Sequence, residues 1–349
     1  MKKLFAKIFA SKPPYGNIDF THVKSILINP AGAGLGDGIV LTATINQLRA
    51  TYPNAKIGVI THPRNQVIFK NNPLHIELVE QSLFYALTHR NKWQLFLDCS
   101  PSFTTRGILF SFLLNFRYVI CFEKEKKKYY HADSVKNYNE YLTGTDKIHL
   151  SQVLSLTCLK NYLKHPPVEY VLPPLEKQDE KTILPFIAKD KLNIMVCPFG
   201  TTRQLDPQEF KNILKSALKG NEDKIHLLFP GNEQSSNYRL DDSGIMQTML
   251  PRQTVSQWFA LISKADLVIA VDSAAVHVAG AYKKPLVAFY GGAKPFVQFA
   301  PLPYAHAIAI SPTAPMPKNF DGIMKGFNCQ DTAAKIKKLI FENGLFQRR

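Results

Sequence analysis

The sequence predicts an α/β protein built on two parallel sheets, and three observations carry that reading. Short β-rich apolar runs alternate with helical stretches along most of the 349 residues. Near the start, a strand, a glycine-rich turn, a helix and a second strand fit within about 35 residues, which makes a βαβ unit and hence a parallel pair. The alternation weakens once, at His165-Pro-Pro-Val-Glu-Tyr-Val-Leu-Pro-Pro174, where four prolines in ten residues favour extended chain and forbid most helix. The expected organisation is a first domain over 1–165, a linker over 166–178 and a second domain over 179–328. A C-terminal helix over 329–349 follows, able to pack back on the first domain.

In the first domain the β-rich runs are 25–29, 56–60, 94–98 and 117–121. The clearest helix spans 38–51, where Ile39, Leu41, Ile45 and Leu48 line one side until Pro53 stops the pattern. In the second domain strands are expected at 193–197, 225–229, 267–271 and 286–290, with helices at 206–219, 255–263 and 273–282. No sequence repeat relates the halves. Ligands of open α/β sheets bind beyond the carboxyl ends of the strands, so the turns after Asn29, Cys197, Phe229 and Val271 are the places to look for chemistry. Two such sheets joined by a linker suggest a cleft with strand ends on either side.

The chain has 43 basic and 27 acidic side chains, a formal charge of +16. Residues 1–165 hold 21 basic against 10 acidic, so most of the excess sits in the first half. Part of it is the run Glu123-Lys-Glu-Lys-Lys-Lys128, which most often would be a solvated loop. No zinc-finger, RNP-like or helix-turn-helix pattern accompanies the charge, and a small anionic partner accounts for it as well as nucleic acid does. The five cysteines are far apart, without Cys-x-x-Cys or zinc spacing, which suits a reducing, cytoplasmic compartment; Cys121 and Cys197 read as buried. No apolar run approaches the length of a membrane span. In the first ten residues Lys7 interrupts the apolar run, so the segment reads either as a frayed terminus or packed first helix, or as a basic amphipathic one. In the latter case Phe5, Ile8 and Phe9, opposed by Lys2, Lys3 and Lys7, could rest on an anionic membrane.

Four turns carry the candidate chemistry. The first, Pro30-Ala-Gly-Ala-Gly-Leu-Gly-Asp-Gly38, presents Gly34, Gly36 and Gly38 around Asp37. It fits neither G-x-G-x-x-G nor a P-loop, and a carboxylate at a helix start argues against a pyrophosphate there. Asp37 reads either as a base held ionised by its helix N-terminus or as an N-cap with no catalytic duty. The second turn offers Thr201, Thr202 and Arg203, side chains suited to phosphate oxygens, unless the turn is purely structural. The third places Glu233 where an acidic residue can accept from ribose hydroxyls. In the fourth, Asp272 and Ser273 precede a helix opening Ala274-Ala275, where free N–H groups and small side chains let a diphosphate approach. His277, one turn further on, is more often a packing histidine than a catalytic one.

Taken together, these turns resemble glycosyltransferase family 9, the ADP-heptose:lipopolysaccharide heptosyltransferases. The likeness runs from about residue 24 to 300. It lies in the apolar strand, Gly-Asp and Thr-containing helix of 26–48, in the Pro-x-Gly turn of 197–203, and above all in 254–292. There Ala-Asp-Leu-Val, Asp-Ser, a His and Pro-Leu-Val-Ala-Phe-Tyr-Gly follow in the family's order. Two stretches depart from the family's pattern: Arg203-Gln-Leu-Asp206, where many members carry Lys, an aromatic residue and Pro, and the first turn with Thr42-Ala-Thr44 behind it.

The resemblance implies a GT-B fold, two Rossmann-like domains facing a central cleft, the acceptor on the first and the nucleotide sugar on the second. It implies Asp37 as general base, Thr201, Thr202 and Arg203 at the donor phosphates, Glu233 at the ribose, Asp272 at the transferred sugar, and Ser273 and Ala274 at the diphosphate. The expected partners are a nucleotide sugar, a phosphorylated glycolipid and, transiently, the anionic inner-membrane face, with no nucleic acid. No cofactor is expected, and no metal either, since Asp-x-Asp does not occur. An enzyme acting on a free nucleotide sugar, epimerase-like, and a silent nucleotide-sugar-binding protein are the alternatives.

Overall fold

A computed structural model of the protein describes residues 1–342, apart from 15, 242, 293–296, 305, 315 and 317–319. The chain divides into two compact units, Met1–Pro174 and Leu175–Arg349. The last seven residues of the expected C-terminal helix, 343–349, lie outside the described residues.

In the first unit, α1 (Lys2–Phe9) precedes β1 (Ser25–Asn29), α2 (Leu35–Thr51), β2 (Lys56–Ile60), α3 (Gln66–Phe69) and β3 (Ile76–Val79). Then come α4 (Leu83–Thr88), β4 (Leu95–Asp98), α5 (Thr105–Leu114), β5 (Tyr118–Cys121) and β6 (Glu140–Tyr141). The strands form one sheet in the order β3-β2-β1-β4-β5-β6, paired in parallel throughout, with Ile26 opposite Ile57 and Ile28 opposite Leu97. Right-handed crossovers then place α2 and α3 on one face and α4 and α5 on the other. β1 and β4 are neighbours where the strand order reverses, and Asn29 Nδ2 donates to Asp98 Oδ1 at 2.8 Å across their carboxyl ends.

One open reading is decided here and one expectation changes. Phe5 and Phe9 of α1 pack inward with Ala6 on a cluster that includes Phe103, Ile108 and Tyr130, and the Phe9 ring meets Phe112 edge-on at 5.1 Å. The helix is therefore a packed one, and of the three residues read as a membrane-facing set only Ile8 stays exposed. The basic run 123–128 is also more than a solvated loop. The Lys124 side chain is fully buried, and its ammonium reaches Asp98 Oδ2 at 3.1 Å, the Asp98 carbonyl at 2.8 Å and the Ser100 carbonyl at 2.6 Å. Paired and hydrogen-bonded in this way, a buried charge can be tolerated.

The second unit repeats the strand order. Its strands β7 (Leu192–Cys197), β9 (Ile225–Phe229), β10 (Met246–Met249), β11 (Leu267–Val271), β12 (Leu286–Phe289) and β13 (Ala307–Ile310) form a parallel sheet in the order β10-β9-β7-β11-β12-β13. Both sheets thus read 3-2-1-4-5-6, the dinucleotide-fold order. A two-stranded parallel ladder joins β8 (Gln204–Leu205) to β14 (Ile323–Met324). The helices are α6 (Lys177–Ile183), α7 (Pro207–Leu218), α8 (Val255–Lys264), α9 (Ala274–Ala281) and α10 (Cys329–Lys337). α7 is amphipathic and buries Phe210, Ile213, Leu214 and Ala217, and Ala333 and Ile336 of α10 join the same core. The C-terminal helix thus packs on α7 in its own unit, where the sequence left open a return to the first domain.

Gly58 sets the packing behind β2. A Cβ there would lie 2.4 Å from the ring of Trp93, which is fully buried. Gly58→Ala is expected to destabilise the first unit by about 1–3 kcal/mol through overpacking, read as an earlier midpoint in urea denaturation followed by Trp fluorescence.

Candidate functional site

The candidate residues fall into two groups, one in each unit. In the first, β1 ends at Asn29 and α2 begins at Leu35, so Asp37 stands in the first helical turn and not ahead of it. The N-cap is Gly34, whose amide donates to Asp37 Oδ2 at 3.1 Å. The carboxylate lies folded back over the turn: a Cβ on Gly32 or Gly34 would sit 2.2 or 2.8 Å from the same oxygen. Two of the turn's glycines are thus required by the approach of Asp37. Gly38 is needed for a different contact, since a Cβ there would press on Asn65 and Ile68 at 3.3 and 3.4 Å. Buried Asn65 in turn accepts from the His62 amide at 2.9 Å and reaches the Gly32 carbonyl at 3.5 Å. Among the described residues Oδ1 of Asp37 makes no hydrogen bond.

Burial adds to the electrostatics a contribution that the sequence does not show. Burial pushes the Asp37 carboxyl above its ordinary value, and the Gly34 amide only partly pulls it back. Desolvation outweighs the hydrogen bond from the N-cap amide.

In the second unit β7 leads into the turn of Gly200, Thr201, Thr202 and Arg203. The turn closes on itself, Gly200 N–H to the Arg203 carbonyl at 2.6 Å, and the ladder that follows fixes it. Gln204 N–H donates to the Gly322 carbonyl and Asp206 N–H to the Met324 carbonyl, both at 2.8 Å. Gly322 has φ +92°, and a Cβ there would sit 2.9 Å from the Thr202 carbonyl, so glycine is demanded twice over. Thr201 and Thr202 are exposed. Arg203 Nη1 donates to Asp272 Oδ2 in an ion pair with the carboxylate buried. Burial still pushes Asp272 up to about 6, with the guanidinium acting in the opposite direction.

Asp272 ends at the start of α9, where Ser273 is the N-cap and makes no side-chain cap bond. A Cβ on Gly200 would lie 3.0 Å from that of Ser273, so the two turns are in contact. The structure thus brings Arg203, Asp272, Ser273 and Ala274 together, with Thr201 and Thr202 beside them. Glu233 stands exposed at the first position of a 3-10 turn capped by Asn232. His277 is buried, its ring 6.0 Å from that of Phe299, as a packing histidine would be. Among the described residues no three His, Cys, Asp or Glu side chains gather as a metal site.

Sequence reading passed over Gly32, Asn65, Gly200 and Gly322. The first and third lie inside turns already singled out; nothing local marks Asn65 or Gly322, which matter through contacts distant in sequence.

A family model described as glycosyltransferase family 9 (heptosyltransferase) matches residues 162–320, which contain every candidate of the second unit. The second half of the chain thus carries the likeness to glycosyltransferase family 9 that its turns implied. "Putative lipopolysaccharide heptosyltransferase 4" of Escherichia coli (strain K12) is 27% identical over 300 residues, 78% of this chain and 76% of that protein. A family 9 glycosyltransferase of Veillonella parvula superposes with a TM-score of 0.69 at 15% identity, over 94% of this chain and 99% of its own. E. coli ADP-heptose lps heptosyltransferase II gives 0.66 at 15%, over 92% and 99%. At that identity the two structures show the fold, which is GT-B, with two Rossmann-like domains in one chain. These likenesses support a glycosyltransferase enzyme, as the motifs implied.

The carboxyl of Asp272 makes a pH prediction. Between its ordinary 3.8 and about 6 the folded protein keeps a proton that the unfolded chain has lost, so stability falls as pH rises through that window and is level above it. A rise of that size corresponds to about 3 kcal/mol. Asp272→Asn should flatten the slope in urea titrations from pH 4 to 7. Arg203→Gln should move the carboxyl, followed by its carbon NMR shift, still higher than about 6.

Proposed function

We propose that this glycosyltransferase transfers a heptose, or a closely related sugar, from ADP-heptose to a phosphorylated glycolipid of the lipopolysaccharide inner core, with inversion at the transferred carbon. The observation that carries the reading is the half-buried Asp37 carboxylate, fixed by one oxygen at the carboxyl end of β1 and raised in basicity by burial. A general base at neutral pH gains from such a shift. The donor and acceptor are supported by the names of the relatives, a lipopolysaccharide heptosyltransferase and an ADP-heptose lps heptosyltransferase. A third likeness, E. coli heptosyltransferase WaaC with ADP-2-deoxy-2-fluoro heptose, adds to the donor at a TM-score of 0.55 and 12% identity.

Asp37 takes the proton of an acceptor hydroxyl as that oxygen bonds to the anomeric carbon. The bond from that carbon to the diphosphate oxygen breaks, and ADP leaves from the opposite side. Thr201, Thr202 and Arg203, with Ser273 and the first amides of α9, meet the charge that grows on the diphosphate. Glu233 accepts from the ribose, and Asp272, steered by Arg203, from hydroxyls of the transferred sugar. His277 packs the helix behind them. The reaction uses no cofactor and no metal, and takes place at the cytoplasmic side of the inner membrane.

Release of ADP from ADP-heptose, followed with and without a core acceptor, tests the reading. Release that needs the acceptor is expected; release without it, or a preference for UDP- or GDP-sugars in a binding panel, would overturn it. Asp37→Asn should lower kcat by roughly 10²–10⁴-fold while thermal shift by ADP-heptose is retained. In the parent enzyme activity should rise with pH as Asp37 ionises, the limb lying above 3.8 because burial raises the group. EDTA should leave turnover unchanged.

A further inference from the structure

The first unit carries an apolar face that neither Asp37 nor the acceptor chemistry uses. α4 and α5 cover one side of its sheet and pack on each other, and α1 packs on α5. Outward from this layer stand Phe84 (77% exposed), Leu87 (63%), Leu4 (60%), Ile8 (57%) and Phe112 (45%). Each helix contributes at least one, and the helices adjoin, so this is a patch and not scattered surface leucines.

Its charge says what the patch meets. α1, α4 and α5 contain no acidic side chain, while Lys2, Lys3, Lys7 and Arg106 stand on them exposed. At its border Lys2 and Lys128 lie 5.8 and 5.4 Å from the centre of the Tyr129 ring, and with Lys127 they line a cavity of about 430 Å³. Apolar tips set among cations, with an aromatic ring between, match an interfacial layer in which acyl chains lie under anionic headgroups. A second copy of the chain would bring lysine against lysine.

We propose that α1, α4 and α5 form the surface by which the protein docks on an anionic phospholipid bilayer. Phe84 and Leu87 enter the interface, Leu4, Ile8 and Phe112 widen it, and the lysines bind headgroup phosphates. The glycolipid acceptor of the assigned reaction gives the surface its purpose, but docking itself needs no turnover, so the two readings fail separately.

Co-sedimentation of the full chain with vesicles of phosphatidylglycerol and phosphatidylethanolamine tests it, alongside phosphatidylcholine vesicles. Binding is expected to the anionic vesicles and to weaken with salt. The double variant Phe84→Ser, Leu87→Ser should lose about tenfold in partition coefficient, and Lys3→Glu, Lys7→Glu a comparable amount, with circular dichroism and thermal midpoint unchanged. No binding, equal binding to phosphatidylcholine, or binding indifferent to both variants would overturn the proposal. So would a dimer in sedimentation velocity that the Phe84, Leu87 variant dissociates. Lys124→Met, which would leave Asp98 without its cation, should lower the thermal midpoint yet spare vesicle binding at temperatures where it is folded, separating surface charge from the buried pair.

Discussion

Parallel pairing is the constraint from which the rest of this structure follows. A parallel pair cannot be joined by a tight hairpin, so each strand must hand over to a crossover before the next begins, and every such handover leaves the sheet at the same edge. Asp37, the Arg203 turn and the Asp272-Ser273 pair all stand at carboxyl ends of strands for this reason. The same constraint buries both faces of the strands, as the wholly buried β7, β9, β11 and β12 show. Variation that keeps the fold is thereby pushed into the turns.

The two units treat their carboxylates alike. Asp37 and Asp272 are both drawn out of water far enough that burial outweighs the groups that would hold them ionised, a backbone amide in one case and a guanidinium in the other. A solvated aspartate is a weak base and a loosely held acceptor. One that has lost water but kept a single directed donor gains basicity and orientation together. The glycines at 32, 34 and 200 allow this, since each clears the space into which a side chain or a neighbouring turn moves.

Strands on the interior of the sheets could be read from sequence because they are continuous apolar runs: β1, β2, β9 and β11 lie where the pattern put them, to the residue. The edge strands β3, β6, β10 and β13 escaped. Ile76–Val79 is half exposed and interrupted by Glu77, and Met246–Met249 leaves Met246 outside, so neither shows an apolar run. The short helices α3 and α4 are too brief for periodicity to mark. In the site, residue types were legible where chemistry crowds a turn, but partnerships were not: no spacing reveals that Arg203 reaches Asp272, 69 residues on, or that Lys124 in a run of lysines is the one that turns inward. What sequence could not show of Asp37 has a similar source, since a helix N-terminus can be seen in sequence and the burial of the carboxylate cannot. The second-unit turns fall within the segment that the family model matches, whereas Asp37 lies outside it, so its assignment leans more on local geometry.

The ladder of β8 with β14 carries a further consequence, for the order in which the chain matures. The first unit makes its long-range ties early: Val171 N–H donates to the Thr42 hydroxyl at 2.9 Å, and Asn72 Nδ2 to the Val171 carbonyl at 2.8 Å, so all the parts are present once about half the polypeptide has been made. The turn bearing Arg203 is different. Its shape depends on Gly322 and Met324, and Glu209 at the head of α7 accepts from the amides of Gly326 and Phe327 at 2.9 and 2.6 Å. During vectorial synthesis the turn bearing Arg203 is therefore among the last features to close. A prematurely terminated product could complete its first unit and still lack the braces that aim Arg203 at Asp272.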